Sequence, residues 1–125
     1  MEFQFGEVNI VCTDLKRSLE LYCDTLGFVE ASREDQAVHL KCGSQPVLLL
    51  PFAKNAAASG PYCETATVAF DLYVKDIDAA LDYLQSRSVK FAKEQDKPGD
   101  YFCIRDPDGN AVSYTHLRAH ETSAN

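Results

Sequence analysis

The chain has 125 residues, 46% of them hydrophobic and 25% charged, a balance that suits one folded domain and argues against disorder. Twelve Lys and Arg against nineteen Asp and Glu leave a net charge of −7, which repels phosphate backbones, argues against a nucleic-acid partner and favours small cations. No apolar run approaches the ~18–20 residues of a spanning helix, and the opening MEFQFGEVNI lacks the basic and apolar regions of a secretory signal.

Along the chain, Val8, Ile10 and Cys12 alternate, and Leu15, Leu19 and Tyr22 then recur at helical spacing. Period 2 followed by period 3.6 predicts a strand running into an amphipathic helix. Thr13-Asp14 offers a cap at the helix start, and Gly27 closes it. Short strands are predicted at 28–32, 37–41 and 47–51, with a Gly43-Ser44 turn between the last two. The stretch PFAKNAAASGPYC then reads as a linker over about 53–63.

The pattern now repeats. Phe70, Leu72 and Val74 alternate, Lys75-Asp76 caps, and Ile77, Leu81 and Leu84 take helical spacing. A shift of about 62 positions lays Asp14 on Asp76, Leu15 on Ile77 and Leu19 on Leu81. Strands follow at 89–92, 101–105 and 111–114, separated by Pro98-Gly99 and by Asp106-Pro107-Asp108-Gly109. Each half reads β-α-β-β-β, and halves of ~60 residues bury too little alone, so the two sheets are expected to combine. The result is an α+β domain over 1–114, with module one at about 5–52 and module two at about 64–114. The polar remainder, 115–125, reads as an unpacked or weakly helical tail whose deletion is expected to leave stability nearly unchanged. It carries His116 and His120, a zinc-capable spacing with no acidic third ligand between them.

The run from Asp14 to Phe28, DLKRSLELYCDTLGF, resembles the "D-L-x-x-S-x-x-F/Y-Y-x-x-x-L-G-F" segment of the vicinal oxygen chelate superfamily. That group includes glyoxalase I, extradiol dioxygenases and bleomycin-resistance proteins. Asp106-Pro107-Asp108-Gly109-Asn110 is similar to the "D-P-D-G-N" turn before that fold's last strand. With the duplication, the resemblance covers about residues 5–114. It implies two paired modules forming a cupped, incompletely closed mixed sheet with helices outside, usually in a homodimer.

Alternation assigns the faces of that cup. Val8, Ile10 and Cys12 pack on the first helix, leaving Glu7, Asn9 and Val11 inside; Phe70, Leu72 and Val74 leave Ala69, Asp71 and Tyr73 inside. The resemblance puts the family's four metal-ligand positions on Glu7, Ala69, Ser113 and a site near Leu48. A catalytic divalent ion needs about three ligands from His, Asp or Glu, and only Glu7 qualifies. No metal or other cofactor is therefore expected.

The candidate ligand-binding residues are Glu7, Asn9, His39, Asp71, Tyr73, Tyr101, Cys103, Arg105 and Ser113. Glu7 could pair with a cation or act as a base, or simply be solvated at its strand's start. Unpartnered burial of Asp71 and Tyr73 would cost about 1–3 kcal/mol each, which favours a wet cavity over a dry core. His39 should point inward, where a lone histidine is more often a structural hydrogen-bonder than a catalyst. Tyr101, Cys103 and Arg105 alternate with Phe102 and Ile104 and could form an aromatic-bearing wall. The five cysteines, Cys12, Cys23, Cys42, Cys63 and Cys103, are scattered with no C-x-x-C pair, which fits neither a disulfide framework nor a thiolate zinc site.

Together these features point to a cytoplasmic homodimer that binds a small, cationic or aromatic organic molecule without metal, similar to the sequestering bleomycin-resistance branch. The enzymatic alternative is a divalent-metal-dependent glyoxalase-like lyase or dioxygenase with atypical ligands such as Glu7, His39 and Asp71. A structural or regulatory module whose cup is filled by its own side chains is the third reading.

Overall fold

The structure, a computed structural model, describes residues 1–57 and 60–117. The chain divides into two units, one over Met1–Ala56 and a second beginning at Ala57. Each is a β-α-β-β-β module.

In the first unit, β1 (Val8–Val11) leads into α1 (Leu15–Leu19), and β2 (Val29–Glu34), β3 (Ala37–Cys42) and β4 (Gln45–Leu50) follow. The sheet order is β1-β4-β3-β2, with β1 parallel to β4 and the other pairs antiparallel. The Asp14 carboxylate accepts from the Arg17 backbone N–H at 3.2 Å, the expected cap. Glu20–Thr25 then wind as a π-helix, a departure from the uniform helix the apolar spacing predicts. Its wider ring shows where the Leu26 N–H donates to Leu21 O at 2.8 Å, five residues back. Gly27 ends the segment at φ +81°, a conformation a side chain resists. Ile10, Cys12, Val38, Leu40, Val47 and Leu49 form the buried sheet face, under Leu21, Tyr22 and Phe28.

The second unit repeats the scheme with β5 (Phe70–Val74), α2 (Ile77–Ser86), β6 (Lys90–Lys93), β7 (Phe102–Arg105) and β8 (Ala111–His116). The order is β5-β8-β7-β6, again with one parallel pair, β5 with β8. Asp76 caps α2 by accepting from the Ala79 N–H at 3.0 Å. Phe102 stacks on Tyr114 with ring centroids 4.9 Å apart, and Phe91 packs against Phe102 at 5.9 Å. Phe102, Ile104, Val112 and Leu84 complete this core.

Two boundaries differ from the sequence expectation. Ala57 and the described residues after it belong to the second unit, and the Ala57 N–H donates to Asp108 O at 2.8 Å, so part of the expected linker is tied to the β7–β8 turn. Thr115 and His116, expected in a loose tail, are instead the last two residues of β8, paired with Tyr73 and Val74. The Leu117 N–H also donates to Val74 O at 2.8 Å. His120 and the rest of 118–125 lie outside the described residues.

The truncation expectation changes with this. Removing 115–125 takes away the end of a parallel ladder, and each bond contributes about 0.5–1.5 kcal/mol. We expect a loss of about 2 kcal/mol relative to a chain ending at Leu117. Thermal melts of the two truncations check this, and coincident midpoints would contradict it.

Candidate functional site

The strand pleat leaves each sheet a face away from its helix, and these faces carry the sequence-predicted residues. In the first unit, Asn9, Leu48 and His39 form one cross-strand row. Asn9 and Glu7 are exposed and His39 is half-buried. His39 Nδ1 lies 4.0 Å from Glu7 Oε2, and its Nε2 lies 3.9 Å from Glu34 Oε2. Glu34 was not singled out from the sequence. The signal existed: the two-residue turn Asp35-Gln36 sets Glu34 opposite Ala37, one diagonal step from His39.

In the second unit the row Asp71, Ser113, Cys103 runs across β5, β8 and β7. Asp71 is exposed, and its Oδ1 accepts from Ser113 Oγ at 2.5 Å and from Thr115 Oγ1 at 2.7 Å. Both donors engage one oxygen, so among the described residues Oδ2 is left for solvent or a ligand. Tyr73 sits one row away, paired with Thr115 and 55% exposed. Tyr101 is 41% exposed just before β7, with Lys93 Nζ 4.8 Å from its ring centroid. That ammonium also pairs with Asp96 at 2.9 Å.

Cys103, expected on an open wall, is fully buried. The Tyr62 hydroxyl, in the irregular segment before β5, lies within electrostatic reach of Cys103 and close to Cys63 and Ser113. Burial, its bond with Cys63 and the nearby thiols push the Tyr62 hydroxyl above its ordinary range, against the Ser113 contact. Tyr62 and Cys63 carry no periodic signal, and the sequence did not point to them.

Burial pushes the Cys103 thiol up to about 11 from its ordinary 9.0, aided by Cys63 and Asp71 and opposed by Arg105 and a Val112 backbone bond. Below pH 9 folded and unfolded chains both hold this proton. Between 9 and 11 only the folded chain does, so stability falls as pH rises. By pH 10 the loss from this one group is about 1.4 kcal/mol. Urea unfolding at pH 8 and 10 should therefore show the native chain losing that much more than Cys103→Ala, and parallel losses would contradict it.

The Arg105 guanidinium donates through Nη1 to Gly109 O at 3.0 Å and through Nη2 to Gly60 O at 2.6 Å, tying the segment to the turn. Beside it lies a hollow of about 170 Å³ lined by Tyr62, Thr65, Thr67, Arg105 and Asn110, among others.

The donor set does not suit a resident divalent ion. Ala69 and Leu48 offer no ligand atom, and the Ser113 hydroxyl is committed to Asp71. The two nitrogens of His39 face different carboxylates, so Glu7, His39 and Glu34 do not converge on one point. Among the described residues no group of three His, Cys, Asp or Glu is placed to hold a metal.

Comparison with known proteins agrees with this architecture. The chain is 31% identical over 118 residues to the uncharacterized protein YaeR of Escherichia coli (strain K12), covering 85% of this chain and 90% of that one. The structure resembles the trypanothione-dependent glyoxalase I of Leishmania major at 19% identity and a TM-score of 0.76, over 92% of this chain and 87% of that one. It also resembles TnmS3, an antibiotic binding protein from Streptomyces sp. CB03234, at 18% identity and a TM-score of 0.66, over 94% of this chain and all of that one, 100%. The family model for the Glyoxalase/Bleomycin resistance protein/Dioxygenase superfamily matches residues 4–114, both modules from before β1 to the middle of β8, and the chain belongs to that superfamily.

Proposed function

We propose that this protein binds a small, cationic or aromatic organic molecule without a metal, and that it acts by holding the molecule rather than transforming it. One observation carries the reading: Asp71 keeps a free carboxylate oxygen on an exposed face, next to the open ring of Tyr73. A fixed carboxylate beside an aromatic ring suits a flat cation, which gains charge pairing and a stacking surface together. The net charge of −7 would speed such a ligand's approach. The fold relative TnmS3 is an antibiotic binding protein, so sequestration is within this architecture's reach.

The proposal places the protein in the cytoplasm as a homodimer. All five cysteines are free, which suits a reducing compartment. Among the described residues no helix is long and apolar enough to cross a membrane.

A fluorescence titration tests the binding. N-methylacridinium should bind saturably, with one site per chain and an affinity that falls with added salt, while neutral acridine at pH 8 binds at least tenfold more weakly. Equal binding of the two, or no saturable binding of the cation, would overturn the reading. The metalloenzyme alternative would have to draw Glu7, His39 and Glu34 together around one ion, which their present placement does not do. Elemental analysis of protein purified without chelator decides it, since stoichiometric zinc, nickel, manganese or iron would reverse the assignment.

A further inference from the structure

We infer that the hollow beside Arg105 is a seat for the carboxylate of a small organic acid, a site whose lining among the described residues does not include Asp71. Arg105 is the only charged side chain among the described residues lining it. Its guanidinium carries five N–H donors, and the structure commits two of them, both to neutral carbonyls at 3.0 and 2.6 Å. Among the described residues no carboxylate pairs with it, although Asp and Glu outnumber Lys and Arg nineteen to twelve in this chain. A cation is therefore fixed at the edge of a hollow with its charge unanswered among the described residues, and a small-molecule carboxylate would complete it.

The rest of the lining says what kind of anion. Thr65, Thr67 and Asn110 add hydrogen-bonding groups, while Pro61, Ala66, Val68 and Ala111 are apolar and would cover a hydrocarbon body. An inorganic ion would leave that apolar part unused. The volume of about 170 Å³ is close to the ~150 Å³ that accommodates a benzene ring in an apolar cavity, so an acid of benzoate size fits. Planar guanidinium and planar carboxylate match geometrically, and the two carbonyls already hold the fork in place before a ligand arrives.

Binding at this site has a structural consequence. Arg105 joins the inter-module segment, through Gly60 O, to the turn, through Gly109 O. An acid seated on the same guanidinium adds a third partner to that junction and holds the segment against the sheet. Ligand binding should therefore slow amide exchange at the Ala57 N–H that donates to Asp108 O.

The experiment is an amide NMR titration of the full chain with sodium benzoate and, separately, benzamide, at constant ionic strength. Benzoate should move the Thr65, Thr67 and Ala111 amides saturably, and benzamide, its neutral isostere, should bind at least tenfold more weakly. Arg105→Gln should weaken benzoate at least tenfold. Because that change also releases Gly60, Ala66→Leu serves as the second variant: it fills the hollow, spares Arg105 and should weaken benzoate comparably. Asp71→Asn should leave benzoate binding unchanged, so this site and the cation face succeed or fail separately. Equal binding of benzoate and benzamide would overturn the inference, as would undiminished binding to Ala66→Leu. Inorganic phosphate matching benzoate in affinity would also overturn it, since it would show a simple anion site with no use for the apolar wall.

Discussion

Replacing Asp106 by alanine is expected to cost about 3–5 kcal/mol of stability, a large part of what holds a domain of this size together. Asp106 is 2% exposed, and one oxygen accepts from the backbone N–H groups of Asp108 at 2.9 Å and Asn110 at 2.8 Å. The other accepts from the Asn110 side-chain amide at 3.0 Å. Alanine removes the buried acceptor that these three donors share, and hydrogen bonds to charged groups are worth about 1.5–3 kcal/mol each before overlap is discounted. The turn also carries the two links to the inter-module segment, from Ala57 to Asp108 O and from Arg105 to Gly109 O, so its loss spreads to the hollow at Arg105. Asp106→Asn should cost less, about half as much, because it keeps an acceptor for the backbone donors while setting one amide against another at Asn110. Denaturant unfolding of both variants measures this, and a loss below about 1 kcal/mol for alanine would show that the turn holds itself without the carboxylate.

The motif that names this turn was plain in the sequence, as were the faces of the strands. Ile10 and Cys12 are buried while Asn9 and Val11 are exposed, because one side of a pleated strand is covered by a helix and the other is not. The two caps were equally legible, since Asp14 and Asp76 stand where a short side-chain oxygen can reach the first free N–H groups. What escaped the sequence is non-local or backbone-driven. The π-helix over Glu20–Thr25 keeps the apolar spacing of an α-helix closely enough that Leu19 and Tyr22 do not betray it. Cys103 is fully buried, and Tyr62, some forty residues earlier in a segment without periodicity, lies within reach of it and of Ser113. The extension of β8 was half legible: Ala111, Ser113 and Thr115 continue one alternation, but the polar run after them hid where the strand ends.

Those non-local contacts decide how the Asp71 face works, and a charge reversal there should be the most damaging single change to binding. For Asp71→Lys we expect the affinity for N-methylacridinium to fall at least hundredfold, about 2.7 kcal/mol, since attraction becomes repulsion at the contact. Asp71→Asn separates charge from shape. Its amide oxygen still accepts from Ser113 and Thr115, so the row survives and only the ionic part is lost. Because Asp71 is exposed, that part is screened by water and salt, and about a tenfold loss is expected rather than the full value of a buried pair. Thr115→Val acts in the other direction. Removing one of the two donors to Oδ1 leaves the carboxylate less internally satisfied, so it should bind the cation somewhat more tightly despite a slightly weaker sheet edge. The order Lys far below Asn, Asn below native, and native at or below Thr115→Val is specific to a carboxylate whose charge does the binding. A Tyr73-driven stacking site would instead show all three Asp71 and Thr115 variants near the native affinity, with the loss appearing in Tyr73→Ala.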